Sequence, residues 1–177
     1  MRFTIPLVPR AQMRARHFVK RTKAGKIFSG TYKDREQARY EEQLMQLLVR
    51  HRPERPFEGP VVLGITAYLP IPRSKPAWWK EAAEKGMVFP TGRPDYDNLV
   101  KNLKDCMTRL AFWRDDSQVI GYDRPAKLYS ANPRWEITVR EIRQPGTKAE
   151  YMEMTGRPGE REFDPNQLEL QLERSET

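Results

Sequence analysis

The sequence predicts an α+β fold: a small mixed β-sheet with two main helices packed on it. Two segments, 34–52 and 97–110, repeat apolar residues at helical spacing. Three others, 2–8, 60–69 and 134–142, run or alternate as strands do. Proline-rich connectors, such as Pro53 with Pro56 and Pro70 with Pro72, separate them. At 177 residues the chain has room for one domain with a core and a polar extension.

Composition narrows the partners. Apolar residues make up 38% of the chain and charged residues 32%, with a net charge of +8. Residues 144–177 hold four Lys/Arg against eight Asp/Glu, so this acidic tail carries −4 and residues 1–143 carry +12. Domain boundaries of 1–143 and 144–177 follow. A body this basic expects an acidic partner, nucleic acid before an anionic membrane. No apolar run approaches the roughly 20 residues that span a bilayer, and the first ten residues lack the apolar stretch of a signal peptide. A soluble, cytoplasmic protein without a membrane partner is expected. The single cysteine, Cys106, excludes an internal disulfide, and two distant histidines, His17 and His51, argue against zinc. Any metal should be a hard one held by carboxylate oxygens.

Taken in order, residues 2–8 predict a short strand interrupted by Pro6. Arg10 to Lys26 contains seven basic residues and no acidic one. It predicts a basic loop or hairpin with a turn at Ala24-Gly25, which is a solvated face on its own and a phosphate-gripping arm beside a nucleolytic site. Asp34 to Arg52 predicts a helix with Asp34 as N-cap, Gln37 completing a capping box, and a buried stripe of Tyr40, Leu44, Leu47 and Leu48. Pro60 to Leu69, apolar on both faces in places, predicts a central strand. Lys80 to Lys85 predicts a short helix closed by Gly86; the preceding Trp78-Trp79 packs it on the core or stacks on bases, the first being the commoner use. Val119–Tyr129 and Arg134–Ile142 predict two more strands, with a bend or sheet edge at Pro125. Residues 145–177 predict a mobile or loosely docked tail with a short helix near Leu168–Leu172.

The chemistry lies between Arg93 and Val119. Pro94 keeps Arg93 out of a helix, so Asp95 and Asp97 fall at a loop-to-helix junction. A lone D-x-D there is commonly an N-cap, and it also recurs in sugar-nucleotide transferases and phosphatases. A helix starting near Asp97 buries Leu99, Leu103, Met107 and Leu110, with Val100 and Cys106 at the margin. Lys101 lies one turn after Asp97, as a surface ion pair or, beside a bound phosphate, a charge stabiliser. Asp115 and Asp116 follow the helix. Two adjacent aspartates repel, so folding has little use for them without a cation. If the next strand returns along the helix start, Asp95, Asp97 and Asp116 converge as ligands for Mg²⁺, with Mn²⁺ able to substitute.

The run P-D-x-D-N-L-x-K, then Asp105, then F-W-x-D-D-S-Q-V resembles the RusA family of Holliday-junction resolvases. The block covers about 27 residues, and the order of elements over 1–143 resembles the family more loosely. The resemblance implies Asp95, Asp97, Asp116 and Lys101 as the catalytic set, with Asn98 and Asp105 structural and Asp115 unassigned. It further implies an intertwined homodimer, Mg²⁺ dependence, no small-molecule cofactor, and paired nicks in a four-way DNA junction during recombination and repair. Arg14, Arg16, Lys20, Arg21, Lys23 and Arg93 are the candidate DNA contacts. Two competing readings are a non-catalytic nucleic-acid-binding module of the same fold and a metal enzyme acting on nucleotides or nucleotide sugars.

Overall fold

A computed structural model describes residues 1–13, 16–22, 25–32 and 34–155. The chain divides into two units, 1–142 and 143–177. In the first, the strands are β1 (Arg2–Ile5), β2 (Arg16–Arg21), β3 (Ile27–Tyr32), β4 (Val61–Pro70), β5 (Val119–Ser130) and β6 (Arg134–Glu141), and the helices α1 (Arg35–Leu48), α2 (Ala77–Glu84) and α3 (Tyr96–Arg109). The sheet is mixed and α+β as predicted, in the order β1-β6-β4-β5. β4 pairs antiparallel with β6 and parallel with β5. A parallel neighbour requires a crossover connection, and α2 and α3 supply it. Residues 131–133 then carry the chain past the end of β4 from one side of it to the other.

The central position of β4 follows from its sequence. Val61, Leu63, Ile65, Ala67 and Leu69 bury one face of it and Val62 joins them on the other, where Gly64, Thr66 and Tyr68 are half-exposed. On β6 the alternation is simpler, with Trp135, Ile137 and Val139 buried between half-exposed partners. Against this sheet α1 lays Tyr40, Leu44 and Leu48, while α3 lays Leu99, Val100, Leu103, Cys106 and Met107. Leu47 and Leu110 are only half-buried at the rim.

Several sequence expectations are corrected. Asp34 caps α1, accepting from the Glu36 amide at 2.9 Å, but Gln37 completes no capping box. It is drawn inward, where its Nε2 donates to Glu41 (2.9 Å) and Asn102 (3.1 Å), and all three side chains are buried. A polar group between two packed helices must find partners there, and α3 supplies one. The helix also stops at Leu48, followed by a 3₁₀ turn over Val49–His51. The short helix expected at Lys80 begins earlier, at Ala77. Its two tryptophans separate: Trp79 packs edge-on to Tyr129 at 5.4 Å, whereas Trp78 is 68% exposed.

The basic stretch forms a hairpin whose second strand, β3, runs beyond the expected segment. Gly25, at φ +80°, serves its turn; Ala24 lies outside the described residues. Gly30 faces Phe18 so closely that an added Cβ would meet the ring at 2.8 Å. In the second unit α4 (Lys148–Thr155) was not expected. The Glu150 carboxylate accepts from the Thr147 amide at 3.2 Å, and the Thr147 hydroxyl accepts from the Glu150 amide at 3.2 Å, which is a capping box. The helix expected near Leu168–Leu172 lies outside the described residues.

Candidate active site

The helix carrying the first two aspartates is tethered to the sheet at its start. Lys127 Nζ on β5 donates to the carbonyls of Gly92 and Pro94, each at 2.9 Å, and so fixes the loop before Asp95. The Tyr96 hydroxyl donates to the Ile65 carbonyl on β4 at 2.6 Å. That carbonyl lies where the β4–β5 register shifts, between Gly64 and Thr66. There β5 turns through Arg124 (φ 44°), and Pro125 has no N–H to offer. Burial holds the Tyr96 hydroxyl well above its ordinary pKa, so it remains a donor. Asp95 occupies the N-cap position without a side-chain cap bond, and Asp97 lies in the first turn. Both are exposed, at the helix end whose dipole favours negative charge.

The second acidic pair divides its work. Ala111, at φ 56°, turns the chain after α3, and Phe112 and Trp113 bury themselves in the core. Gln118 then clamps the turn. Its Oε1 accepts from the amides of Arg114 (2.7 Å) and Asp115 (3.0 Å), while its Nε2 donates to the carbonyls of Phe57 and Gly59, both at 3.0 Å. Asp115 caps a 3₁₀ turn over Asp116–Gln118, accepting from the Ser117 amide at 2.8 Å. Hydrogen bonds from Ser117, side chain first and backbone second, hold its carboxyl below the ordinary value. The expectation that folding has little use for the adjacent aspartates without a cation is therefore corrected for Asp115. Unpaired amides at the turn start give Asp115 its partner.

Asp116 faces the other way. Its Oδ1 accepts from the Thr108 hydroxyl, and its Oδ2 lies 3.7 Å from Lys104 Nζ. The Thr108 oxygen in turn accepts from Trp113 Nε1 at 2.7 Å. A partly exposed ion pair contributes up to ~1 kcal/mol, whereas a hydrogen bond to a charged group contributes about 1.5–3 kcal/mol. Thr108, more than Lys104, sets the orientation of Asp116.

These side chains meet in a cleft of about 540 Å³. Asp97, Lys101, Lys104, Asp105 and Asp116 line it. Tyr122 and Pro125 of β5 contribute an apolar wall. The cleft thus gathers Asp97, Lys101 and Asp116 from the expected set, while Asp95 lies one residue before α3 and outside the lining. Seven residues of helix separate Asp97 from Lys104, a rise of about 10 Å, so Asp97 and the Asp116 beside Lys104 flank the cleft. Among the described residues no three His, Cys, Asp or Glu side chains gather into a metal-holding group. The donor chemistry nonetheless suits a hard divalent cation, since the acidic lining, Asp97, Asp105 and Asp116, consists of carboxylate oxygens.

Lys104 and Thr108 escaped the sequence reading. Their signal was present, since Asp97, Lys101, Lys104 and Thr108 recur at steps of four, three and four along one helix face. Among the described residues the ion pair in the cleft is Lys104–Asp116, not Asp97–Lys101. Asp105 is both structural and cleft-lining, for its Oδ2 accepts from Gln12 Nε2 at 2.7 Å. The Gln12 amide also donates to the Asn98 carbonyl at 3.1 Å. The start of the basic stretch is thereby anchored on α3 at Gln12. Lys20 and Arg21 are exposed on β2, and Arg93 is exposed before α3. Arg14 and Lys23 lie outside the described residues, and of Arg16 only the backbone is described.

An acidic cleft on α3, with a strongly basic stretch joined to the same helix at Gln12, suits an enzyme that works on a polyanion. The family described as "Endodeoxyribonuclease RusA" matches residues 6–140. The chain belongs to this family of endodeoxyribonucleases. It is 37% identical over 145 residues to "Uncharacterized protein YqaN" of Bacillus subtilis (strain 168), spanning 80% of this chain and 96% of that protein. It is 35% identical over 97 residues to "Crossover junction endodeoxyribonuclease rusA" of Lactococcus phage r1t, spanning 54% of this chain and 66% of that protein. A shorter match, 38% over 50 residues, joins it to "Crossover junction endodeoxyribonuclease RusA" of Escherichia coli (strain K12), spanning 28% of this chain and 42% of that protein. No helix among the described residues is long and apolar enough to cross a membrane.

Proposed function

We propose that this chain is a Mg²⁺-dependent endodeoxyribonuclease that resolves four-way DNA junctions in recombination and repair. The observation that carries the reading is the cleft, where Asp97 and Asp116 flank Lys101 in a protein of the RusA family. Asp95, Asp97 and Asp116 would hold the ion, with Mn²⁺ able to substitute. When bound, the ion neutralises the scissile phosphate and acidifies the attacking water.

The chain's own groups do the rest. Thr108 presents Asp116 in one orientation. Lys101, exposed in the cleft, offsets charge that builds on a phosphate oxygen as the bond breaks. Tyr122 and Pro125 keep one wall of the cleft apolar. Lys20, Arg21 and Arg93, with Arg14, Arg16 and Lys23, neutralise DNA phosphates and set the register of the backbone in the cleft. A homodimer would present two such clefts across a two-fold axis, matching the paired strands of a junction.

The test is cleavage of an end-labelled four-way junction with Mg²⁺, run beside a matched linear duplex. Paired symmetric nicks confined to the junction are expected. Junction binding in EDTA with no cleavage under any divalent ion would replace this reading with a non-catalytic binding module.

A further inference from the structure

We infer that Thr108 is a positioning residue that aims Asp116 at the cation of the cleft, so that Oδ2 alone is presented to it. The inference rests on the reading of Asp116 as a metal ligand. It starts from proton bookkeeping on one hydroxyl. Thr108 has a single O–H and two acceptors in reach, the Lys104 carbonyl at 3.0 Å and Asp116 Oδ1. The carbonyl belongs to an α-helix and is already served by the backbone ladder. The carboxylate is charged and makes the stronger bond.

The direction of that bond is fixed from behind. Trp113 Nε1 donates to the Thr108 oxygen at 2.7 Å, and Trp113 is 1% exposed. A buried indole N–H can only donate and an ionised carboxylate can only accept, so the hydroxyl accepts from Trp113 and donates toward Asp116. The relay therefore runs one way, from Trp113 through Thr108 to Asp116. Its far end is Oδ2, whose neighbour is the Lys104 ammonium at 3.7 Å, farther than a hydrogen bond. A divalent cation can take the place of that ammonium without disturbing Oδ1. Because α3 carries Thr108 and the core holds Trp113, the carboxylate inherits the rigidity of both.

The test compares Thr108→Val and Thr108→Ala with Thr108→Ser. Mn²⁺ binding is read by electron paramagnetic resonance, the Mg²⁺ requirement from junction nicking, and melting temperature alongside. Loss of the hydroxyl is expected to weaken Mn²⁺ binding about tenfold, as removal of groups that orient metal ligands does. It should raise the Mg²⁺ requirement in step and leave junction affinity in EDTA unchanged. Thr108→Ser should restore metal binding to within about twofold. The Ala variant adds no bulk and stands in if the Val variant fails to fold. Wild-type Mn²⁺ binding by a hydroxyl-free variant, or a Ser variant as defective as the Val one, would overturn the inference. Asp116→Asn separates the two levels. If it binds Mn²⁺ and nicks like the wild type, the ligand reading falls and the inference with it. If it is defective while Thr108→Val is normal, the inference alone falls.

Discussion

The two ends of α3 treat their carboxylates in opposite ways. At the start, Asp95 and Asp97 are exposed, and the Asp95 side chain makes no cap bond. Past the end, Asp115 is committed to a cap and Asp116 is held by Thr108 and Lys104. The contrast separates two jobs. One end offers a carboxylate whose orientation is set before any ligand arrives. The other leaves its carboxylates exposed, which on the proposed function would let them adjust to a phosphate backbone. Lys127 and Tyr96 fix where that second end sits, not where its side chains point.

The largest effects should come from removing charge at either end. Asp97→Asn and Asp116→Asn are each expected to slow junction nicking by roughly 10³ or more. Binding of the junction should hold or tighten, because a lost carboxylate repels phosphate less. Single-turnover nicking and gel shifts at fixed salt would check both, and near-wild-type nicking by either variant would break the comparison. Next come the two lysines on one helix face. Lys101→Met should lower kcat about 10²-fold with little change in KM, as loss of a transition-state contact does. Lys104→Met should instead lower the Mg²⁺ requirement by up to about fivefold, the worth of a ~1 kcal/mol pair that competes with the ion. A Mg²⁺ titration of nicking decides, and the reverse pattern would exchange their roles.

The smallest effect should come from Asp115. Its folded-state pKa is depressed by the Ser117 hydrogen bonds. The stability it contributes is therefore complete above its unfolded pKa and is lost as pH falls through the lower folded one. Asp115→Asn keeps a capping side chain without the titrating charge. Melting temperatures between pH 6 and pH 3 should fall less steeply for the variant than for the wild type, and Mn²⁺ binding should be unaltered. Identical acid profiles would remove the charge from the role of Asp115.

How much of this was legible in the sequence depended on whether a feature is local. The buried faces of β4 and α3 follow from alternation and helical spacing, so the sheet centre and the site helix could be read directly. The placement of Asp95 and Asp97 at a helix start was legible from Pro94. The partner of Asp116 was not, because it depends on a reversal at Ala111, where the left-handed φ falls on an alanine and no glycine signals it. Gln37 illustrates the opposite failure. Its spacing from Asp34 fits a local cap, yet burial against Asn102 of α3 prevails. The second hairpin strand lies past the basic stretch, and its Gly30, on which the Phe18 ring rests, carries no strand signal. Thr147 with Glu150 has the spacing of a capping box, but the segment after it lacks the apolar periodicity that marks a helix, so α4 is not legible from pattern.

The most direct test of the central claim, that both ends of α3 serve one phosphodiester, is a double-mutant comparison. Single-turnover nicking of a four-way junction would be measured for Asp97→Asn, Asp116→Asn and the double variant, with Mn²⁺ to keep residual rates measurable. Residues that act as a unit lose most of their effect at the first removal. A shared site predicts a double variant no slower than the slower single one. Losses that multiply, or a single variant that nicks at the wild-type rate, would show that the two ends do not act together.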